Sequence, residues 1–518
     1  METEVLIIGA GVTGSGVMRD LALRGIHCLL IDQGDIDAGA SGANHGLLHS
    51  GGRYVVSDPA TAAECRREGE LLKRLAPHCV DDCGGLFVAF EGDDPDYAAG
   101  FGARCRDAGI PCRPLTPAQA REREPALGER LVSAWAVPDA SVDPFRLTLC
   151  NLAHARALTG SGYLPHTRLE GFDLRHGAIH SVLCRDPRSG EPLRIRARQV
   201  VNATGAWAMA VARMAGCRGV RLDCVKGTLL ITASRLTHGV VNRLRPPADG
   251  DILVPGGSVS LLGTTSDRVD SPDAAPPTVA EVDRNLAEAV TMVPALADAR
   301  FIRAFSGVRP VLAGSGGRGF HLFDHDGDGP SNLATITGGK LTTFRLMAQR
   351  TADLVARRLG VDAPCRTADE PLPEAEAGRW TEPGYAPRRW YARGDTADPI
   401  LCECEMVPAS AVDAIGRQAG NGDAPPDLRA IGVRSRVGKG SCQGAFCSIR
   451  VTAHLYDRGV YRDRDGLARA REFVEHRFRG VRPVLWGAQM PQAELAEALH
   501  RGLMGLDLPD GDGNGEEG

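Results

Sequence analysis

The stretch EVLIIGAGVTGSGVMRDLALRGIHCLLID, residues 4 to 32, sets an apolar run, Val5 to Ile8, directly before Gly9-Ala10-Gly11-Val12-Thr13-Gly14. A helical stretch with Val17, Met18, Leu21 and Leu23 follows and closes at Gly25. A second apolar run, Cys28 to Ile31, ends in Asp32, 23 residues after Gly9. Strand, glycine turn, helix, strand and acid in this register describe a dinucleotide-binding unit. Gly9 permits the tight turn, Gly11 lets a pyrophosphate approach the backbone, and Gly14 allows close packing of helix on strand. The helix N-terminus offers unpaired N–H donors and a partial positive charge to phosphate. Asp32 is placed to accept hydrogen bonds from a ribose.

The chain around this unit has 518 residues, enough for two to four domains with a sizeable core. Its 43% hydrophobic and 24% charged residues describe an ordinary soluble globular protein. A net charge of -5 supplies no overall basic field, which argues against nucleic acid as the main partner. The first apolar run leads straight into glycines, with neither a basic start nor a cleavage site, so a cytoplasmic location is expected. No uninterrupted apolar run reaches the roughly 18 residues needed to span a bilayer. Membrane attachment would then need a partner or an amphipathic face.

Two later segments favour FAD over NAD. RARQVVNATGAWA, residues 196 to 208, reads as a strand ending in Ala203-Thr204-Gly205, a turn suited to closing over the adenine half of FAD. LATIT, residues 333 to 337, runs into GGKLTTFRLMAQRTADLVARR, where a helix begins just after Gly338 and Gly339 and ends near Gly360. A helix N-terminus there can stabilise negative charge on a reduced flavin. The nucleotide domain is therefore discontinuous, with segments at about 1–75, 195–215 and 330–360.

Fifteen cysteines in a long chain without an export signal do not read as a disulfide framework. Cys28, Cys65, Cys105, Cys112, Cys150, Cys184, Cys217, Cys224 and Cys365 lie singly and read as small packing residues. Cys79 and Cys83 could share a helix face, yet no His or further Cys at ligand spacing completes a metal set, so the pair reads as structural. Cys402-x-Cys404 and Cys442-x4-Cys447 form two close pairs 37 residues apart. Thiolate quartets hold zinc or an iron-sulfur cluster, and the single-residue gap between Cys402 and Cys404 counts against zinc. Arg434, Arg436, Lys439 and Arg450 flank the second pair, either to offset an anionic centre or as a solvated basic face. Asp324, Asp326, Asp328 and Gly329 have the look of a calcium loop, but its twelfth position is Thr335, so an acidic turn is expected. The tail LPDGDGNGEEG reads as disordered.

GASGANHGLLHSGGRY, SVDPFRLT, DILVPGG, LLGTTSDR, FSGVRP and ITGGKLTTFRLMA, followed by the cysteine pairs, resemble the FAD-dependent glycerol-3-phosphate dehydrogenases. Thiols placed after the flavin domain narrow the resemblance to the large, flavin-bearing subunits of the anaerobic type. It runs from about residue 3 to about residue 505. It implies oxidation of sn-glycerol 3-phosphate to dihydroxyacetone phosphate, with electrons leaving through companion subunits towards membrane quinone. It also implies a peripheral position on the inner face of the cell membrane. The C-x-C plus C-x4-C pattern resembles the bacterioferritin-associated ferredoxin type of 2Fe-2S domain, and Cys402, Cys404, Cys442 and Cys447 are its expected ligands. Around VKGTLLIT and GTTSDR this chain has Leu229 and Ser266 where single-subunit dehydrogenases tend to carry His and Asp.

Oxidising a secondary alcohol on flavin needs a hydride path, a base for the hydroxyl proton and fixed cations for a dianionic phosphate. The candidate cations are Arg53, Arg309 and Lys340. His49 is the candidate base, with His45 its competitor and Tyr54 a candidate donor to substrate. Gly9, Gly11, Gly14, Asp32, Ser41, His45, Thr204, Gly205, Gly338, Gly339, Leu341 and Thr342 make up the expected cofactor-binding set.

The expected fold class is α/β: a discontinuous Rossmann-type FAD-binding domain with an interleaved mixed-sheet substrate domain over 1–360, and a small helical C-terminal 2Fe-2S domain over 398–460. A linker over 361–397 joins them, and a helical segment with an acidic tail fills 461–518. The same frame also suits an FAD enzyme acting on an amine or a 2-hydroxy acid. An electron-shuttle module that has lost substrate chemistry is the alternative of another class.

Overall fold

The computed structural model describes residues 1–273, 276–314, 319–419 and 426–507. Glu2–Ile8 is a strand with neighbours on both sides, pairing in parallel with Cys28–Ile31 and with the second half of Pro192–Asn202. Gly162–Leu164 adds beyond Cys28–Ile31 and Leu333–Gly338 beyond Pro192–Asn202, both parallel, and Phe320–Asp324 then joins antiparallel. The first half of Pro192–Asn202 pairs instead with Ala178–Arg185, which pairs with Arg168–Arg175. Strands buried on both faces read as unbroken apolar runs. That is why Val5–Ile8 and Cys28–Ile31 stand out in the sequence.

The Val12–Leu23 helix packs against the helices Pro144–Thr159 and Phe344–Leu359. Close approach depends on Gly16, where an added Cβ would sit 3.0 Å from the Phe344 ring. Leu6, Ile8, Leu29, Ile31, Val200 and Leu333 form one buried cluster with Ala208 and Ala212 of the helix Ala208–Met214.

Among the described residues the second sheet has nine strands. Val240–Arg243 runs parallel to Gly85–Phe90 and Leu131–Val137 runs antiparallel to it, so the sheet is mixed, as expected. A small three-stranded sheet sets Ala140–Val142 between Leu47–Leu48 and Val80–Asp81. It pins the loop that carries His45, His49 and Tyr54.

The chain divides into two compact units, one of residues 1–300 with 305–382 and one of 301–304 with 383–518. The expected linker is thus partly core. Leu372 and Ala375 are buried, and Arg146 pairs with both Glu374 and Glu382. Cys79 ends a short 3-10 turn, Pro77–Cys79, and strand Val80–Asp81 follows it, so Cys79 and Cys83 share no helix. The second unit is helical, with Ala409–Ala419, Leu428–Val433, Cys447–Asp457, Asp465–Val481 and Gln489–Ala498. The Asp326–Gly329 segment is a turn, and Thr335 is a fully buried strand residue that meets His325 Nε2 at 2.9 Å. The expected disordered tail, residues 508–518, lies outside the described residues.

Candidate active site and thiol cluster

Gly9 has φ +109°, and a Cβ there would stand 2.5 Å from the Ala203 carbonyl oxygen. A Cβ on Gly14 would stand 1.9 Å from the Gly9 carbonyl, and one on Gly11 2.8 Å from Ser41 Oγ. Ser41 Oγ accepts from Val12 N–H at 3.1 Å, which places it at the N-terminus of the Val12–Leu23 helix. Asp32 accepts from Ala10 N–H and Gly34 N–H, both at 2.8 Å, so it braces the glycine turn. Burial raises the Asp32 pKa while those two donors pull it down. Each carboxylate oxygen can accept more than one hydrogen bond, so a ribose contact remains open to it.

Thr204 Oγ1 donates to Asn202 Oδ1 at 2.7 Å, and Gly205, at φ +58°, presents its carbonyl to Thr337 Oγ1 at 2.9 Å. Gly338 and Gly339 have φ +85° and +69°. The turn Leu341–Thr343 follows, and buried Thr342 Oγ1 accepts from His49 N–H at 3.0 Å. The closing turn and the histidine loop are thereby joined. Most of the predicted cofactor residues line the turns around one strand array, and the glycine cradle fits a pyrophosphate.

His45 Nε2 is buried and has no hydrogen-bond partner among the described residues, an orphaned polar atom of the kind a bound group would satisfy. Burial, then the nearby Arg309 and Arg53, push its pKa down to about 3, so the imidazole is neutral. His49 Nε2 lies 3.5 Å from the Tyr54 hydroxyl, and Lys340 Nζ sits 4.2 Å from the Tyr54 ring centroid. Arg309 donates through one NH2 to the Thr265 carbonyl at 2.6 Å and to Thr264 Oγ1 at 3.2 Å. Room for that guanidinium depends on Gly227, whose Cβ would be 2.4 Å from it. Gly307 of the same strand meets the Ala43 carbonyl at 2.4 Å by the same measure, which sets the Arg309 strand against the histidine loop.

Arg53 has protein partners of its own. It pairs with fully buried Asp251 at 2.7 Å and donates to the Arg243 carbonyl at 3.3 Å. Asp251 also pairs with Arg245. Asp139 is a positioning residue that the sequence reading missed. It accepts from Ser50 N–H at 2.7 Å and from Asn242 at 3.0 Å, fixing the backbone beside His49. No motif or spacing marks it, because its partners are 89 and 103 residues away.

In the second unit the four predicted thiols come together. Cys404 Sγ lies 3.1 Å from Cys442 Sγ, and Cys402 hydrogen-bonds with Cys404 and Cys447. Gly440 packs on Cys404, where a Cβ would be 2.6 Å away. Arg436 forms a two-pronged pair with Glu405 at 2.7 and 3.0 Å, and Arg450 pairs with Glu403 at 2.5 Å. These cations therefore clamp one cysteine loop to the other. Half-buried Arg477 donates to Gln443 at 2.8 Å and to the Gly438 carbonyl. Burial lowers its pKa to about 10, the Cys447 and Cys442 sulfurs oppose that fall, and it remains a cation beside them. The donor set and its approach fit a four-thiolate centre.

Residues 4–354 match the model of the FAD dependent oxidoreductase family. The chain is 40% identical to the A-type subunit of the anaerobic glycerol-3-phosphate dehydrogenase of Escherichia coli K12, over 98% of this chain and 97% of that one. It is 38% identical to the A1-type subunit of the anaerobic enzyme of Haloferax volcanii, over 97% and 91%. Among solved structures, the glycerol-3-phosphate dehydrogenase of Bacillus halodurans complexed with FAD superposes with a TM-score of 0.66 at 24% identity, covering 94% of this chain and 96% of that one. Glycine oxidase of Geobacillus kaustophilus gives 0.59 at 25%, covering 69% and 95%.

Proposed function

Because this chain belongs to the FAD-dependent oxidoreductases, and within them to the A-type subunits of the anaerobic glycerol-3-phosphate dehydrogenases, we propose that it oxidises sn-glycerol 3-phosphate to dihydroxyacetone phosphate. The observation that carries this reading is the gathering of Lys340, at the N-cap of the turn Leu341–Thr343, with Tyr54 and His49 of the histidine loop, and of Arg309 near His45. Flavin, when bound, supplies the hydride acceptor. Arg309 and Lys340 hold the phosphate, the first as a planar fork and the second as a point charge. His49 Nε2 takes the hydroxyl proton, with Tyr54 orienting the imidazole. Neutral His45 adds no charge and offers Nε2 to the cofactor or the substrate oxygen. Arg53, held by Asp251, contributes field rather than a direct phosphate contact.

Cys402, Cys404, Cys442 and Cys447 would hold a 2Fe-2S cluster, which supplies one-electron transfer towards companion subunits and membrane quinone. Among the described residues no helix is long and apolar enough to cross a membrane.

The test is an anaerobic titration with glycerol 3-phosphate that follows flavin absorbance and the cluster's EPR signal together. Bleaching by glycerol 3-phosphate, but not by glycine derivatives or 2-hydroxy acids, is expected. The reverse preference would replace this reading with the amine or hydroxy-acid one.

A further inference from the structure

The fold brings His78, Cys79 and Cys150 together although Cys150 is 71 residues from Cys79 in the chain. One ligand atom from each lies within 4.8 Å of the other two. Cys150 Sγ is 3.5 Å from His78 Nε2, and the Cys79 and Cys150 side chains hydrogen-bond to each other. A tetrahedral zinc with Zn–S of about 2.3 Å and Zn–N of about 2.0 Å requires an S···N separation of about 3.5 Å and S···S of about 3.8 Å. The observed S···N distance already has that value before any ion is placed. Cys79 and Cys150 are 4% and 0% exposed within an apolar shell of Leu72, Ala76, Val142 and Leu147, while His78 is half-buried.

We propose that His78, Cys79 and Cys150 form a second metal site, separate from the Cys402–Cys447 quartet, which takes a thiophilic divalent cation of the zinc class. Two thiolates and one imidazole are the donors zinc prefers, and three protein ligands leave the fourth position to water on the half-exposed His78 side. Loading displaces two thiol protons to solvent and oxidises nothing. His78 and Cys79 end the turn after the helix Pro59–Leu75, and Cys150 sits mid-helix in Pro144–Thr159. The ion would clip these helices together. Gly69 of the first stands 3.2 Å, as a Cβ, from the His49 carbonyl. The clip therefore stiffens the wall behind the histidine loop.

The test uses the full-length flavoprotein dialysed against zinc alone, then against zinc-free buffer. Elemental analysis should show that Cys150→Ser and His78→Ala each lose a single zinc relative to the parent, while Cys404→Ser retains that zinc. Zinc should also shield Cys79 and Cys150 of the parent chain from alkylation, read by peptide mass spectrometry, and raise the thermal midpoint. Equal zinc content in parent and Cys150→Ser overturns the proposal. So does unchanged alkylation of Cys79 and Cys150 with and without zinc, a readout that needs no variant to fold. A Cys79–Cys150 disulfide in the protein as isolated overturns it as well.

Discussion

At the scale of single residues, what matters is which charges face a substrate and which are committed to holding the protein together. Arg53 and Arg309 look equivalent in sequence, and in the fold each has protein partners, Arg53 the buried Asp251 and Arg309 the Thr265 carbonyl. Arg309→Met should weaken apparent substrate affinity by about 10- to 150-fold, the loss expected for a hydrogen bond to a charged group, in steady-state titration with glycerol 3-phosphate. Gly227→Ala should reproduce much of that loss, because its Cβ would occupy the guanidinium's place. His49→Gln should keep FAD but slow flavin reduction by about 10²- to 10⁴-fold in anaerobic stopped flow, the usual worth of a general base. His45 contributes to the pH dependence of stability. Its folded pKa of about 3 lies below the ordinary 6.5, so the unfolded chain binds the extra proton. The stability it contributes is whole above pH 6.5 and is lost as pH falls towards 3. His45→Asn should flatten that part of the thermal midpoint against pH profile.

At the scale of elements, glycines and buried pairs decide whether helices and strands meet. Gly14→Ala puts a methyl 1.9 Å from the Gly9 carbonyl. The Val12–Leu23 helix must then lift from its strand, and the purified protein should lack FAD absorbance. The Phe344–Leu359 helix is held to Pro59–Leu75 by Arg345 and Glu68, which make two hydrogen bonds of 2.7 Å with both side chains nearly buried. Glu68→Ala strands a buried guanidinium and should cost about 3–5 kcal/mol in denaturant unfolding. The strand–turn–helix signature of the first 32 residues was legible because local periodicity and turn chemistry coincide there. The small sheet that pins Leu47–Leu48 was not, since two- and three-residue strands leave no periodic trace.

At the scale of the whole molecule, the chain is a flavin unit and a thiol unit, each with its own cluster of chemistry. The Arg436–Glu405 and Arg450–Glu403 pairs hold the cysteine loops together within the second unit. If Cys402, Cys404, Cys442 and Cys447 hold the proposed 2Fe-2S cluster, Cys404→Ser should leave flavin bleaching by substrate intact, remove that cluster's EPR signal and abolish turnover with one-electron acceptors. The dinucleotide turn and the thiol spacings were determined by sequence alone, because each depends on residues close together in the chain. The order of the strands, which sets Glu2–Ile8 beside Pro192–Asn202, was not. Which carboxylate Arg53 pairs with, how Asp139 sets the His49 loop, and how Cys150 reaches His78 and Cys79 were decided only by the tertiary structure. Those contacts join segments about 70 to 200 residues apart, where side-chain neighbours are set by the packing of whole elements and no local pattern records them.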